Sequence, residues 1–325
     1  MNRQEYLNQP DVNKFINWLA TQLPTLPMHF VFSKSPKYVP NGINTQLIGI
    51  SAAQSQYQWG GDWDSVSKVL TTLREQINDA VRSGDDQLTY NVSRAILRWG
   101  GVDNRPTIDF LDNLRSQNKL AAYFLQVESL LRLDSANRLS DITSLSVPAF
   151  NSGLTKIHAL LDKTGSPIYD GRVGAAISTL YHLYRIDLES SSESVPADHS
   201  RFAFDEGQGC QVRDPKLLGA QFKGTPKLNR KKPMEWARRQ LQLGWIMREV
   251  LERAPELFGH VKEISERCHH FEAGLFMMGY DLSEPPRKLW RLLYLREWSH
   301  EESKQVFPRG ARARSTDGAG TPRCV

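Results

Sequence analysis

One aspartate stands at the start of a predicted helix, where its carboxylate is well placed to do chemistry. Asp170 immediately precedes the helical pattern that begins at Gly171, and Arg172 follows two residues later. An aspartate in this position can cap the helix by accepting hydrogen bonds from its free N–H groups. A carboxylate beside a cation can also stabilise positive charge that develops in a reaction, and can orient or deprotonate water. The sequence supports the two roles equally.

Two predicted helices and the connection between them position Asp170. Apolar residues recur at helical spacing over residues 152–161 and again over residues 171–184. Residues 163–167 interrupt this pattern with a glycine and a proline. We therefore expect two short helices that meet at an angle across a tight connection.

The order of features over residues 148–185 is more specific than the helical pattern alone. A helix, a turn with glycine and proline, an aspartate and a second helix rich in small and apolar residues follow one another. The most specific part is Tyr169-Asp170-Gly171-Arg172-Val173-Gly174-Ala175-Ala176. This order resembles the helix-hairpin-helix DNA glycosylase superfamily, and the resemblance extends over residues 88–185. It implies that Asp170 is the catalytic carboxylate, as the aspartate after the hairpin is in that superfamily.

The sequence departs from the superfamily pattern at the hairpin and at the lysine. The usual turn, an apolar residue followed by Pro-Gly-x-Gly, is replaced by residues 150–153. Members that form a Schiff base carry their lysine farther from the aspartate than Lys156 is, and Asn151 lies nearer to that position. We therefore expect a monofunctional glycosylase that activates water, with Lys156 pointing at a phosphate or into solvent.

The resemblance also implies where a DNA backbone binds. Helix N-termini favour anions, so the N–H groups around residues 152–155 are expected to hold a phosphate. Arg172 adds charge to this site or braces Asp170. A basic run over residues 223–239 is equally well explained as a phosphate clamp and as a solvated linker. The DNA-binding candidates are Ser152, Gly153, Thr155, Lys156, Arg172, Lys231 and Lys232.

A glycosylase must extrude its target base, which requires a pocket and a wedge. Residues 57–63 alternate aromatic residues with glycines and polar residues, which predicts a surface loop with exposed rings. Trp59 is the first candidate to stack on a flipped base or to enter the duplex, although packing on the adjoining helix is the alternative. The full set of candidates for the base pocket or wedge is Trp59, Tyr169, Tyr57 and Asn151.

Composition bounds the class of protein. The chain has 325 residues, 40% of them hydrophobic, and a net charge of +5, which fits double-stranded DNA as a partner. No apolar run is long enough to span a membrane and the first residues lack a signal-like segment, so we expect a cytoplasmic protein. We also expect a monomer. The three cysteines at 210, 268 and 324 are isolated, and Cys268-His269-His270 is interpreted as structural. No cofactor and no metal are expected.

The fold class is predicted to be mainly α. We expect a helix-hairpin-helix glycosylase-like helical bundle with a small irregular or β insertion near the N-terminus, where residues 29–32 and 46–50 are β-like. Helices are predicted at 12–23, 64–80, 87–99, 107–116, 120–132, 234–253, 255–268, 270–278 and 287–298. The predicted divisions are an N-terminal region (1–87), the helix-hairpin-helix core (88–188), a C-terminal helical region (189–302) and a disordered tail (303–325).

Several common enzyme motifs are missing from the sequence. It contains no GxxxxGK[ST], no GxGxxG after a strand, no HExxH and no GxSxG, which excludes the commonest nucleotide hydrolases, dehydrogenases, zinc proteases and α/β-hydrolases. The prediction is a DNA glycosylase that leaves an abasic site. The segments beyond a minimal core allow a pocket for hypermodified phage bases, hence an antiviral role, whereas repair of oxidised or alkylated bases is the conventional alternative. A non-catalytic DNA-binding protein and a helical protein-interaction module are the other classes.

Overall fold

The computed structural model describes residues 1–35, 39–190, 211, 213 and 232–282. These residues form eleven α-helices and one two-stranded antiparallel sheet, so the predicted mainly α class is confirmed. The helices are α1 (Arg3–Leu7), α2 (Pro10–Gln22), α3 (Ile50–Gln54), α4 (Trp63–Ser83), α5 (Asp86–Trp99), α6 (Arg105–Ser116), α7 (Leu120–Leu131), α8 (Leu154–Leu161), α9 (Gly171–Ser190), α10 (Pro233–Arg253) and α11 (Ile264–Met278). The strands are β1 (Pro27–Phe32) and β2 (Ile43–Ile48).

The two strands form a hairpin near the N-terminus. Phe32 pairs with Ile43 at one end, and Pro27 pairs with Ile48 at the other. Alternate side chains of β1 are buried, as expected of a strand with one face on the core. The predicted small β insertion is therefore a hairpin.

Local capping sets the boundary between α4 and α5, and a carboxylate of α5 caps the start of α7. Gly84 ends α4 with a φ of +71°, a conformation that glycine adopts without strain. Asp85 then caps α5 by accepting a hydrogen bond from the Leu88 N–H at 2.8 Å. The Asp86 carboxylate accepts a hydrogen bond from the Leu120 N–H at 2.9 Å, which ties the start of α5 to the start of α7. The break predicted between α4 and α5 is confirmed.

Four helices build the scaffold around Asp170. The connection between α8 and α9 spans residues 162–170 and lies against α10 and α11. Trp236 of α10 donates its Nε1–H to the carbonyl oxygen of Tyr169 at 2.7 Å. Trp245, farther along α10, is fully buried and its ring centroid lies 5.8 Å from that of Tyr6. Buried apolar residues from α1 to α11 form one contiguous core, and the predicted division of the chain stays a prediction.

The predicted pair of helices at 255–268 and 270–278 is wrong. A single helix, α11, runs through both, and the residues before it are not helical. Phe258 has a φ of +55°, which interrupts any helix at that point. The Arg267 guanidinium donates a hydrogen bond to the Leu257 carbonyl oxygen at 2.7 Å. A side chain thus satisfies a carbonyl group that a helix would otherwise have used.

Some predictions fall on residues that the structure does not describe. They include the helix at 287–298, the tail at 303–325 and most of the basic run over 223–239. None of the helices in the described part of the chain combines the length and the apolar character needed to cross a membrane.

Candidate active site

Asp170 ends the connection and begins α9. Its Oδ1 accepts hydrogen bonds from the backbone N–H groups of Arg172 at 2.9 Å and Val173 at 3.3 Å. Its Oδ2 lies 3.6 Å from Lys156 Nζ and 3.6 Å from Arg172 Nη1. One oxygen therefore caps the helix while the other faces two cations. The two roles considered from the sequence are geometrically compatible.

The expectation that Lys156 points into solvent is wrong. Its side chain is 6% exposed, and besides facing Asp170 its Nζ donates a hydrogen bond to the Ser152 carbonyl oxygen at 2.9 Å. The stem of Lys156 crosses the backbone of Gly100, where an added Cβ would lie only 2.7 Å from Lys156 Cε. The turn of α8 directs the lysine inward, and a glycine at the end of α5 leaves room for it.

The charges of this site shift the pKa values of its groups. Burial alone would raise the pKa of Asp170, but the charges of Lys156 and Arg172, with the backbone hydrogen bonds, outweigh it and hold that pKa below its usual value. Burial lowers the pKa of Lys156, and the attraction of Asp170 offsets part of this effect. Asp170 is therefore ionised near neutral pH, and the Lys156 amine loses its proton more readily than an ordinary lysine.

Arg172 is held by aromatic rings as well as by Asp170. Its guanidinium carbon lies 4.6 Å from the ring centroid of Trp59, 4.9 Å from that of Phe276 and 5.5 Å from that of Tyr280. A cation over aromatic faces is stabilised by the ring quadrupoles, and more so when it is desolvated. This position favours the interpretation in which Arg172 braces Asp170.

The rings predicted to be exposed are buried. Trp59 is 7% exposed and Tyr57 is 6% exposed, because both pack against Phe276 of α11, with centroids 5.6 and 5.4 Å away. Trp59 also donates its Nε1–H to the Trp99 carbonyl oxygen at 3.3 Å. Tyr169 is 2% exposed. The predicted exposure of Trp59 and Tyr57 is therefore wrong, and both rings form part of the wall behind Arg172. The role of Trp59, Tyr57 and Tyr169 in a base pocket stays a prediction.

The start of α8 is capped from within the protein. Asn151 Oδ1 accepts hydrogen bonds from the N–H groups of Gly153 at 2.9 Å and Leu154 at 3.0 Å, so Asn151 caps the helix rather than lining a pocket. The Thr155 N–H donates to the Asn151 carbonyl oxygen at 2.9 Å. The expected phosphate contacts from the N–H groups of Gly153 and Thr155 are therefore contradicted. Ser152 remains partly exposed at this turn.

The Thr155 side chain holds the connection instead of a phosphate. It is fully buried, and its hydroxyl donates to Gln240 Oε1 at 2.5 Å and accepts from the Tyr169 N–H at 2.9 Å. Of the two lysines in the basic run, Lys232 is exposed at the start of α10, whereas Lys231 lies outside the described residues.

A second carboxyl group near the site, Glu272 on α11, is not among the candidates predicted from the sequence. Its Oε2 accepts a hydrogen bond from the Ile168 N–H at 3.0 Å. Burial raises the pKa of Glu272 to about 8, and the negative charge of Asp170 adds to this effect. A signal was present, since Glu272 is the single charged residue in the apolar run of residues 271–278.

The Cys268-His269-His270 segment has contacts of a structural kind. Cys268 is buried, and His270 Nε2 accepts a hydrogen bond from the Trp63 Nε1–H at 3.2 Å. Burial lowers the pKa of His269 to about 3, so this side chain is neutral near pH 7. Among the residues that the structure describes, no three His, Cys, Asp or Glu side chains are grouped so that they could hold a metal ion.

The chain matches no protein-family model, no curated protein and no solved structure. The residues of the site define the chemistry available to it. It offers an ionised carboxylate, Asp170, and an amine with a lowered pKa, Lys156, within one charged and buried cluster. Buried groups with shifted pKa values are typical of sites that stabilise charge or attack an electrophile.

Proposed function

We propose that the protein is a DNA N-glycosylase that takes a modified or damaged base out of duplex DNA and cleaves its N-glycosidic bond. The observation that carries the proposal is the buried pair of Asp170 Oδ2 and Lys156 Nζ, 3.6 Å apart. As the bond to the base breaks, positive charge develops on the deoxyribose, and a nearby carboxylate stabilises it. Asp170 supplies this carboxylate, and the resemblance over residues 88–185 supports the assignment.

The site must open to admit a nucleotide. Asp170 is 5% exposed, and Arg172 with its aromatic wall lies on one side of it. A flipped base therefore reaches Asp170 only when side chains around Arg172 move aside. Closure of this kind excludes water and strengthens the electrostatic effect of the carboxylate once the base is bound.

A second candidate activity is favoured by the position of Lys156. A deprotonated amine can attack the sugar carbon as the base leaves, and the imine formed after ring opening supports strand cleavage. The buried amine beside Asp170 fits this role, in contrast to the water-activating mechanism expected from the sequence spacing. The two mechanisms share Asp170 and differ in the nucleophile.

We propose that the removed base is a modified base. The hairpin of β1 and β2 and the C-terminal helices α10 and α11 add to the core around the site, which is compatible with a bulky or hypermodified base. Phage DNA is one source of such bases and would make the protein an antiviral factor. Oxidised or alkylated bases of cellular DNA are the other source.

Base release from several DNAs tests the proposal. Purified protein is incubated with ordinary genomic DNA, with oxidised or alkylated DNA and with phage DNAs that carry modified bases, and abasic sites are counted. We expect one class of DNA to yield abasic sites with the wild type. Asp170→Asn should lower the rate at least about a hundredfold, because the charge is lost while asparagine still caps α9. Binding to duplex DNA without release from any substrate would identify a non-catalytic DNA-binding protein instead.

Reductive trapping separates the two nucleophiles. Borohydride added during the reaction reduces an imine and leaves the protein covalently attached to DNA, which is seen as a band of lower mobility. Attack by Lys156 predicts a trapped band for the wild type and none for Lys156→Gln. Abasic sites without any trapped band would show that water is the nucleophile, and would leave the role of Asp170 intact.

A further inference from the structure

Helix α11 runs alongside the connection between α8 and α9, which ends at Asp170. Near its start, an added Cβ on Gly165 of the connection would lie 2.9 Å from Cys268 Cβ. Just past its end, Gly279 packs so closely against the backbone of Arg172 that a side chain there has no room. The two close approaches show that α11 contacts both the connection and the first turn of α9. The middle of α11 therefore lies beside the residues between Gly165 and Arg172, which include Asp170.

Glu272 occupies that middle position. Its carboxyl group accepts the Ile168 N–H at 3.0 Å, two residues before Asp170. The Glu272 side chain is 13% exposed, and it borders a small cavity of about 20 Å³. Arg74 and His269 line both this cavity and a larger polar cavity of about 410 Å³. A cavity of the smaller size can hold about one water molecule.

The charges around Glu272 decide what its ionisation would do. The titratable and charged groups that face it are Arg74 of α4, Lys156 of α8, Asp170, Tyr57 and, on its own helix, His269. Burial keeps Tyr57 and His269 neutral near pH 7, because it raises the pKa of the phenol and lowers that of the imidazole. The charged neighbours are then one carboxylate and two cations.

We propose that Glu272 is a positioning residue that holds Asp170 in place while its carboxyl group is neutral, and that ionisation of Glu272 disrupts the pair of Asp170 and Lys156. A second negative charge beside Asp170 repels it, and the repulsion is larger in a buried site than in water. The new carboxylate also competes for Lys156. The effect on base release rests on the proposed function, whereas the effect on the ion pair does not.

The pH dependence gives the expected size of the effect. Glu272 is neutral below its pKa of about 8 and ionised above it. Base release by the wild type should therefore fall about tenfold from pH 7 to pH 9, as for one ionisation in the middle of that range. Glu272→Gln keeps an acceptor for the Ile168 N–H but cannot ionise, so its rate of release should stay level from pH 7 to pH 9. Glu256→Gln, at an exposed position, is the matched control and should follow the wild type.

A second measurement needs no catalysis. In protein labelled with ¹³C at side-chain carboxyl groups, the Asp170 signal is identified by its absence from Asp170→Asn. It should shift with a midpoint near pH 8 in the wild type, the pKa of Glu272, and stay constant in Glu272→Gln. The Glu272 carboxyl signal itself should titrate at the same pH.

The outcomes separate this inference from the proposed function. Parallel pH responses of Asp170 in the wild type and in Glu272→Gln would overturn it, and so would a Glu272 carboxyl signal that titrates near the ordinary glutamate value. This last observation is made on the wild type and does not depend on the folding of any variant. If no DNA releases a base while the Asp170 signal behaves as expected, the proposed function fails and the positioning role of Glu272 stands.

Discussion

The connection between α8 and α9 begins and ends with a buried aspartate, and the two carboxylates are held in different ways. Asp162, at its start, is 1% exposed and accepts hydrogen bonds of 2.8 to 3.0 Å from the N–H and hydroxyl groups of Thr164 and from the Ser166 N–H. All these donors are neutral and lie within four residues. Asp170, at its end, satisfies only one oxygen in this local manner, and its other oxygen faces two cations.

This difference distinguishes a carboxylate that stabilises a loop from one that is placed to take part in a reaction. A carboxylate that neutral neighbours saturate fixes the shape of a loop, and nothing about it requires a ligand. A carboxylate that brings a lysine into the interior incurs the desolvation of two charges, which capping a helix does not require. Buried charges of the second kind are concentrated at functional sites. The contrast indicates a structural role for Asp162 and supports the chemical role that we propose for Asp170.

The largest effect on stability is expected at Asp162. Asp162→Asn removes acceptor capacity from a buried site and leaves donors of Thr164 or Ser166 without partners, which should lower the free energy of unfolding by about 1 to 3 kcal/mol. Denaturant unfolding measures this change. The matched variant Asp170→Asn should lose less stability, because asparagine caps α9 and Lys156 can give up its proton. An unfolding midpoint for Asp162→Asn equal to that of the wild type would remove the contrast.

A smaller effect is expected from Gly100, which makes room for the Lys156 stem. Gly100 has a φ of −73°, so alanine is allowed there and only contact with the lysine is at issue. Gly100→Ala should displace the amine and lower base release about tenfold, since misplacing a reacting group weakens catalysis. The rates of the wild type, Gly100→Ala, Lys156→Ala and the double variant form a double-mutant cycle. If the two changes act independently, the predicted dependence of Gly100 on Lys156 is wrong.

The mainly α class, many of the helices and the position of Asp170 at a helix start could be predicted from local patterns. Hydrophobic periodicity placed α4, α5, α7 and α10 within three residues of their observed ends, and it placed Asp170 at the start of α9. Capping chemistry is local, so the role of Asp170 as a helix cap could also be predicted. These features depend on neighbours within a few residues.

The side chains around Asp170 could not be placed in the same way. Whether Lys156 points inward depends on how α8 lies against Gly100, which is more than fifty residues away in sequence. Trp59 was predicted to be exposed because its loop is rich in glycine, but its partner Phe276 belongs to the last described helix. Arg267, likewise, donates a hydrogen bond from its side chain to the Leu257 carbonyl oxygen, ten residues earlier. Such contacts are set by tertiary packing rather than by pattern.

The most direct test of the role of Asp170 is the rate of base release per folded molecule for the wild type, Asp162→Asn and Asp170→Asn. All three are assayed on one susceptible DNA, at a temperature where circular dichroism shows each to be folded. We expect Asp162→Asn to stay within about twofold of the wild type and Asp170→Asn to be at least about a hundredfold slower. Equal rates for Asp170→Asn and the wild type would contradict the assignment of the chemistry to Asp170.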